Sequence, residues 1–208
     1  MITGIVLAAG ASRRMGRAKA LLPWGETTVL GQVLANLSVS RVDDVVVVTG
    51  DRADAVAGAA EAARARAVHN PDWATTGMAA SLAVGLRAVP GDCEAALVIL
   101  ADQPMIGPGI IDAVVAGYRA HVEGADGAGD GRAIVAAAHR GRRGHPVIFG
   151  RVHFAALLAL PADASPRAVL VGAGDGVRLV DVGSDVVLGD LDTPDAYERW
   201  RALASPIP

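Results

Sequence analysis

Short runs of β-branched residues alternate with longer segments of helical periodicity, and this rhythm constrains the fold more than any other feature of the chain. Buried-strand patterns cover residues 2–8, 43–50 and 94–102, whereas apolar side chains in residues 27–37 recur at three- and four-residue spacings. Such alternation is typical of a parallel sheet with helices on both faces. We therefore predict an α/β fold with three α/β/α layers, Rossmann-like, and a mostly parallel sheet.

The second half of the chain is less regular. Residues 123–131 are rich in Gly and Asp, which predicts a loop, and two further strands are expected on either side of the turn at residues 140–144. Thr193 is placed to cap a final helix that starts with Pro194. Because 208 residues show no internal repeat and no obvious linker, a single domain over residues 1–208 is expected.

Composition narrows the range of partners. The formal net charge is -3, which argues against nucleic acid as the main partner. No apolar run approaches the ~20 residues that a membrane span needs, and the first residues lack the basic region of a signal peptide. Cys93 is the only cysteine, so no internal disulfide can form, and a cytoplasmic, reducing compartment is the simple expectation.

The stretch LAAGASRRMGRAKALLPW, Leu7 to Trp24, follows the first predicted strand. Ligands of parallel sheets bind beyond the carboxyl ends of the strands. Glycines such as Gly10 and Gly16 let backbone N–H groups approach an anion, and Lys19, the only lysine of the chain, adds a compact positive charge. The spacing matches neither a Walker loop nor a GxGxxG fingerprint. The pattern indicates a polyphosphate site; the alternative is a surface loop with solvated arginines.

Acidic residues suitable for a metal stand at two distant points. Asp102 ends the apolar strand pattern AALVILA at the expected ligand edge, although a turn or cap role is also open. Asp190 and Asp192 are two apart, so they point the same way in an extended segment, and one of them can serve the helix cap instead. At polyphosphate sites, Mg²⁺ is commonly held by one or two carboxylates together with the phosphate oxygens. Asp126 and Asp130 lack the spacing of a calcium loop and are read as loop residues.

Other polar residues suggest contacts to the rest of a ligand. Asn70 lies in an Asn-Pro turn, where a purely local turn role is the alternative. A helix opening at Gly77 would offer free N–H groups to a nucleotide, with Ser81 one turn later. Either Trp24 or Trp73 can stack on a ring, but core packing is at least as good an interpretation.

Five blocks in order together resemble the MobA-like NTP transferases, and among them most of all the molybdenum-cofactor cytidylyltransferases. The opening stretch resembles the signature LAAGxSxRMGxxKxLLPW, and the later blocks are NPDWATTGMAASLAVGL, LADQPMI, RGHPVIF and DLDTPDAY. They span nearly the whole chain. Ala18 stands where the family often has Pro, which removes no functional group. The resemblance implies the fold of the nucleotide-diphospho-sugar transferases.

The resemblance also implies an activity: transfer of CMP from CTP to the phosphate of molybdopterin, or of the molybdenum cofactor, with release of pyrophosphate. Mg²⁺ is the implied cofactor, and a molybdenum enzyme is a possible client. Family members with LAAG, as in Leu7 to Gly10, tend to use CTP, whereas LAGG accompanies GTP. Alternatives are guanylyl transfer, a different phosphorylated acceptor, or a non-catalytic nucleotide-binding accessory that helps a molybdenum enzyme mature.

Residue roles follow from the matched blocks. The catalytic candidates are Arg14, Lys19 and Asp102. Metal binding is expected at Asp102 and Asp192, with Asp190 second, and acceptor binding at Arg143 and His145. The implied nucleotide-binding set is Leu7, Ala8, Ala9, Gly10, Ser12, Arg14, Gly16, Lys19, Asn70, Gly77 and Ser81.

Overall fold

The strands of the protein form one large sheet and one small hairpin. The computed structural model describes residues 1–10, 15, 18–124 and 133–204. Within these ranges the strands are β1 (Ile2–Ala8), β2 (Pro23–Trp24), β3 (Thr27–Thr28), β4 (Asp44–Thr49), β5 (Arg66–His69), β6 (Ala95–Leu100), β7 (Ile134–His139), β8 (Arg142–Gly150) and β9 (Val177–Asp181).

Helices cover both faces of the large sheet. Their bounds are α1 (Val29–Ser38), α2 (Ala53–Ala62), α3 (Met78–Ala88), α4 (Pro108–Val122), α5 (Phe154–Leu158), α6 (Arg167–Ala173) and α7 (Pro194–Ala204). The Ala-rich sequence of residues 54–66 favours a helix and carries no obvious stop signal. The chain leaves the helix after Ala62, and Arg64 adopts a left-handed φ of 59°.

The large sheet has the strand order β5-β4-β1-β6-β8-β7-β9. Strands β5, β4, β1 and β6 are parallel, and β7 pairs with β9 in parallel. Strand β8 is antiparallel to both β6 and β7. The predicted three-layer α/β fold with a mostly parallel sheet is therefore confirmed. Because β1 and β6 are adjacent and parallel, the residues after Ala8 and after Leu100 meet at one edge of the sheet.

Two apolar layers hold the helices on the sheet. In β1, Val6 packs on the side of α1, α2 and α4, whereas Ile5 packs on the side of α3 and α5. Gly85 lets α3 lie close to the sheet, since a Cβ there would meet Ile5 Cγ2 at 2.7 Å. This close approach sets the position of the start of α3 beside the end of β1.

A third, smaller cluster joins the last helix to the hairpin that follows Lys19. Its buried members are Leu22, Trp24, Val29, Leu191, Tyr197 and Trp200. The Tyr197 hydroxyl also donates a hydrogen bond of 2.5 Å to the Pro23 carbonyl oxygen. The cluster therefore anchors the segments on either side of the sheet edge, one carrying Lys19 and the other Asp192.

In the part of the chain that the structure describes, no helix has both the length and the apolar character to cross a bilayer.

Candidate active site

A cavity of about 630 Å³ opens at the carboxyl ends of β1 and β6. Segments far apart in the sequence form its wall: the end of β1, the turn at Lys19, the start of α3, the end of β6 and the loop before α7. Candidate residues that line it are Leu7, Ala8, Ala9, Gly10, Lys19, Gly77, Ser81, Asp102, Asp190 and Asp192.

Lys19 lies between two of the predicted metal ligands. Its Nζ atom is 2.5 Å from Oδ2 of Asp102 and 2.6 Å from Oδ1 of Asp192. The side chains of Lys19 and Asp102 are 15% and 16% exposed, and that of Asp192 is 33% exposed. Two carboxylates that are 90 positions apart in the sequence are thus brought to one ammonium group.

Electrostatics keep this lysine charged. Burial acts to lower the pKa of Lys19, but charge attraction and hydrogen bonds to Asp102 and Asp192 outweigh it and raise the pKa above 10.5. The ammonium is therefore protonated at neutral pH. The Lys19 ammonium offsets one of the two negative charges of Asp102 and Asp192. The three side chains together therefore carry a net charge of about minus one.

The loop that carries Asp192 is tied directly to the end of β6. Gln103, only 3% exposed, donates from Nε2 to the carbonyl oxygen of Gly189 over 2.8 Å. Leu191 is fully buried in the third cluster, which fixes the loop from its other side. Asp102 and Asp192 are consequently held together by contacts of the residues next to them.

The two acids of the C-terminal block have different surroundings. Oδ1 of Asp190 accepts a hydrogen bond of 3.1 Å from the backbone N–H of Asp192, which is a local turn contact. The carboxylate of Asp192 instead contacts Lys19. Thr193 caps α7 as predicted, with Oγ1 accepting from the N–H of Ala196 over 3.2 Å. Both acids line the cavity, and of the two it is Asp192 that contacts the lysine.

The start of α3 forms the opposite wall of the cavity. Gly77 and Ser81 line it, together with Trp73, Thr76 and Met78. The N–H of Gly77 donates to the carbonyl oxygen of Ala162 over 2.8 Å, so this helix-start group is already satisfied within the protein. Asn70 does not reach the wall: it is 2% exposed and lies behind Ser81.

The two tryptophans singled out in the sequence occupy different positions. Trp73 lines the cavity. Trp24 is 4% exposed and packs against Tyr197, with ring centroids 6.4 Å apart. Core packing therefore accounts for Trp24, whereas Trp73 remains a candidate for contact with a ligand.

A second cavity, of about 980 Å³, adjoins the first, and Met78 lies on the wall of both. Arg142, Arg143 and Arg167 supply positive charge on its lining. Its apolar lining includes Val98, Val147, Phe149, Leu170 and Leu179. The cavity thus combines a cationic part with an apolar part, which suits an anionic ligand that has a flat or apolar body.

His145, which also lines the second cavity, lies within electrostatic reach of the first. Burial lowers the pKa of His145, and the negative charge of Asp102 opposes that shift only in part. The imidazole is therefore neutral at pH 7. Its Nδ1 atom is buried and has no hydrogen-bond partner among the described residues.

Some sequence candidates cannot be placed. Ser12, Arg14 and Gly16 lie outside the described residues, and so do residues 125–131 of the Gly/Asp loop predicted over residues 123–131.

The donor set fits a divalent cation at Asp102 and Asp192. Oδ1 of Asp102 is buried without a hydrogen-bond partner among the described residues, although the other oxygen binds Lys19. No group of three or more His, Cys, Asp or Glu side chains suited to a metal occurs in the described ranges. A Mg²⁺ ion here would therefore take two protein carboxylates and fill its remaining positions with phosphate oxygens and water, as Mg²⁺ commonly does.

Sequence reasoning missed several residues that line these walls or support them from behind. Gln103 carries one signal, because it is a polar residue held between a strand-end Asp and Pro104. Arg167 carries none, because its place on the wall of the second cavity depends on how α6 packs.

Comparison with known proteins identifies the family. The family model described as the MobA-like NTP transferase domain matches residues 4–177. The chain is 32% identical to nicotine blue oxidoreductase of Paenarthrobacter nicotinovorans, over 95% of both chains. It is 27% identical to the molybdenum cofactor cytidylyltransferase of Escherichia coli K12, over 96% of this chain and 97% of that one.

A solved structure matches along almost its full length. The Mycobacterium tuberculosis protein Rv0371C, crystallised in complex with manganese, superposes with a TM-score of 0.77 at 30% identity, covering 97% of this chain and 98% of that one. The fold is thus similar to that of a solved relative over nearly the whole length of both chains.

Proposed function

Because the chain belongs to the MobA-like NTP transferase family, we propose that it is an Mg²⁺-dependent nucleotidyltransferase that transfers CMP from CTP to the phosphate of molybdopterin or the molybdenum cofactor. The observation that carries this proposal is the juxtaposition of Lys19, Asp102 and Asp192 on the cavity at the ends of β1 and β6. One cation and two carboxylates at a strand-end cavity suit a triphosphate with its metal.

The reaction needs positioning and charge stabilisation, and no covalent enzyme intermediate. An oxygen of the acceptor's phosphate attacks the α-phosphorus of CTP, the new P–O bond forms, and the bond to the pyrophosphate oxygen breaks. Lys19 would bind the triphosphate as a point charge, together with the backbone after Gly10 and the side chain of Arg14. Mg²⁺ bound by Asp102 and Asp192 would supply positive charge against the phosphate oxygens.

Two observations support the metal. Asp102 keeps one buried oxygen without a hydrogen-bond partner among the described residues. The Mycobacterium tuberculosis relative, 30% identical over nearly the whole chain, was crystallised with manganese. Manganese and magnesium both favour oxygen ligands, so carboxylates are the appropriate donors for either.

The second cavity would receive the acceptor. Arg142, Arg143 and Arg167 would bind its phosphate, and the apolar lining would hold its ring system. Because Met78 lies on both walls, an acceptor here would lie next to the nucleotide in the first cavity.

Cytidine preference rests on the opening block and on one relative. The segment Leu7 to Gly10 resembles the LAAG type, and Ala9, which is 6% exposed, places a methyl group at the cavity wall. The Escherichia coli relative is named a cytidylyltransferase. Guanylyl transfer and a different phosphorylated acceptor remain the alternatives within the same chemistry.

One finding favours a second candidate function. The relative from Paenarthrobacter nicotinovorans is named an oxidoreductase and is 32% identical over 95% of this chain. A redox activity on an aromatic dye would use the same cavities without releasing pyrophosphate.

A single panel separates these functions. Purified protein is incubated with Mg²⁺ and each of the four NTPs, with and without molybdenum cofactor, and pyrophosphate release is measured. Parallel reactions contain nicotine blue and NADH or NADPH, and reduction of the dye is measured. We expect release only when CTP and the acceptor are both present. Pyrophosphate release with GTP instead of CTP would assign the protein to guanylyl transfer. CTP binding without pyrophosphate release would indicate a non-catalytic nucleotide-binding accessory. Reduction of nicotine blue without pyrophosphate release would overturn nucleotidyl transfer. An Arg66→Met variant, changed at an exposed ion pair with Asp44, is the control for handling and folding.

A further inference from the structure

Two carboxylates that share one metal ion repel each other whenever no cation lies between them. In the structure the Lys19 ammonium lies between them, with Nζ 2.5 Å from Oδ2 of Asp102 and 2.6 Å from Oδ1 of Asp192. The proposed function assigns the same carboxylates to Mg²⁺ and the same ammonium to the triphosphate. Lys19 therefore has to leave the carboxylates when the nucleotide and its metal bind, and it is a movable link between them.

Gln103 provides a second link between the same two segments. It follows Asp102 directly, is 3% exposed, and donates from Nε2 to the carbonyl oxygen of Gly189 over 2.8 Å. A carbonyl oxygen can only accept, so the NH₂ end of the amide faces Gly189. The bond joins the end of β6 to the loop of Asp192 and involves no charged group, so the departure of Lys19 leaves it in place.

The carbonyl group that accepts this bond lies on a rigid support. Gly189 packs against the ring of Trp200, since a Cβ at this position would meet Cζ2 of that ring at 2.6 Å. Leu191, which stands between Gly189 and Asp192, is fully buried. Oδ1 of Asp190 accepts from the N–H of Asp192 over 3.1 Å and closes the turn. The position of the Gly189 carbonyl therefore determines that of the Asp192 carboxylate.

Stability alone does not explain a glutamine at position 103. Its Oε1 atom is buried and has no hydrogen-bond partner among the described residues. The side chain thus forms one hydrogen bond and leaves another buried acceptor unpaired, and such an unpaired group is costly. The net gain in stability is small, whereas the gain in the position of the loop is not.

We propose that Gln103 is a positioning residue, the fixed link that keeps the carboxylates of Asp102 and Asp192 within reach of one divalent ion after Lys19 has left them. The inference rests on the proposed function, because it takes these two carboxylates to be the metal ligands. Within the described ranges Gln103 does not line the first cavity, and it acts through the loop that begins at Gly189.

The test removes the movable link first and the fixed link second. The probe is Mn²⁺ alone, without nucleotide, and paramagnetic resonance measures its dissociation constant in Lys19→Met. Adding Gln103→Met, which keeps the approximate size of the side chain but not its donor, should raise that constant about tenfold, the scale on which groups behind metal ligands act. With Lys19 intact, the ammonium still joins the carboxylates, so Gln103→Met should raise the constant by a smaller factor.

Asn36→Leu is the matched control. Asn36 is 8% exposed, and its Nδ2 donates to the carbonyl oxygens of Pro104 and Ile106 over 3.1 and 2.9 Å. The variant therefore also removes a buried amide that bonds to the turn after β6, but these bonds do not join that turn to the loop of Asp192. It should lower the melting temperature and leave the Mn²⁺ dissociation constant nearly unchanged. A rise equal to that in Gln103→Met would indicate general loosening of the turn and would overturn the proposal.

Turnover supplies a readout that a purely structural role would not move. In Gln103→Met with Lys19 intact, the Mg²⁺ concentration for half-maximal pyrophosphate release should rise. At saturating Mg²⁺ the kcat value should return close to that of the wild type, because the metal ligands themselves are unchanged. A kcat that stays low at saturating Mg²⁺ would contradict a positioning role.

A shorter amide covers the case in which Gln103→Met does not fold. Gln103→Asn lacks one methylene group, so its amide should not reach the Gly189 carbonyl, and metal affinity should fall as in Gln103→Met. An unchanged Mn²⁺ dissociation constant in either variant, or an equal rise with and without Lys19, would overturn the proposal. Absence of Mn²⁺ binding in the wild type and in Lys19→Met would refute the proposed metal site itself, whereas Mn²⁺ binding that is insensitive to Gln103 would refute only this inference.

Discussion

The two cavities share the side chain of Met78, yet they are built in different ways. The first opens where parallel strands end, and three of its charged side chains are bonded to one another: Lys19 with Asp102 and Asp192. The second lies over the antiparallel strand β8 and the helix α6, and its charges, from Arg142 and Arg143, are exposed. The first is therefore a connected ionic site, whereas the second is a shaped surface with separate charges.

This difference predicts unequal sensitivity to mutation. When side chains are bonded to one another, a mutation of one disturbs the others as well. Exposed charges instead contribute small, separate amounts to the binding free energy. Variants of Lys19, Asp102 and Asp192 in the first cavity should lower turnover strongly, and variants of the arginines in the second should change only the affinity for the acceptor. The predictions below test this contrast in order of decreasing effect.

The largest effect is expected for Lys19→Met, which keeps most of the length of the side chain but removes its charged end. Loss of a cation that would stabilise the triphosphate should lower the rate of pyrophosphate release by about 10²-fold or more. Without nucleotide, the variant should also bind Mn²⁺ more tightly than the wild type, since the carboxylates of Asp102 and Asp192 lose the ammonium that offsets them. Paramagnetic resonance of free Mn²⁺ measures that affinity.

Arg66→Met is the matched control, because it also removes a paired cation, but at an exposed site on β5. Near-normal turnover in Lys19→Met would refute the role of the lysine. A Mn²⁺ affinity equal to that of the wild type would show that the lysine does not influence the carboxylate pair.

The second prediction compares Asp192→Asn with Asp190→Asn. Asp192 faces Lys19, whereas Asp190 accepts a backbone N–H, a contact that asparagine can also make. Asp192→Asn should reduce metal affinity by more than the roughly 10-fold that even changes outside the metal ligands produce. Asp190→Asn should stay within a few-fold of the wild type in a Mg²⁺ titration of pyrophosphate release. The reverse ranking would make Asp190 the ligand.

The same contrast explains what could be predicted from the sequence. Asp102 and Lys19 were identifiable because the carboxyl ends of adjacent parallel strands always meet at one edge, whatever the details of packing. The bond from Gln103 to Gly189 joins residues 86 positions apart, and it arises only once α7 and its cluster have packed. The sequence therefore predicts the fold and the meeting of Lys19 and Asp102 at one edge of the sheet, but not the contacts that hold the loop of Asp192 there.

The second cavity was only partly predictable. Arg143 and His145 were singled out from the block RGHPVIF, but the insertion of β8 between β6 and β7 was not foreseen. That insertion brings Val147 and Phe149 beside α6 and so creates the apolar lining. The sequence pattern of a strand does not reveal which strands lie beside it in the sheet. Pairing depends on the tertiary arrangement of strands that are distant in sequence.

The third prediction concerns Arg143→Met in the second cavity. An exposed cation contributes up to about 1 kcal/mol to an ion pair, so the KM for the acceptor should rise by roughly fivefold or less. The kcat value should not change, because the nucleotide contacts remain intact. Arg178→Met is the matched control: Arg178 is exposed on β9 between Val177 and Leu179, which line the cavity, and it is not part of the lining. Loss of kcat in Arg143→Met would place this arginine in the catalytic step.

The smallest effect is expected for His145 and appears in stability as a function of pH. Burial lowers the pKa of His145 below 6.5, so the unfolded chain takes up a proton at a higher pH than the folded protein does. Stability must then fall as the pH drops through 6.5, with a slope of at most about 1.4 kcal/mol per pH unit for one proton. The fall ends once the pH passes below the folded-state pKa.

His145→Gln removes this contribution, so its free energy of unfolding should decrease less between pH 7.5 and pH 5 than that of the wild type. Urea denaturation at several pH values measures the difference, and subtracting the two profiles cancels the carboxylates that both proteins share. Parallel profiles would mean that the folded protein accommodates a charged imidazole beside Asp102. The second cavity would then be electrostatically coupled to the first, and the contrast between a connected ionic site and a surface of separate charges would no longer hold.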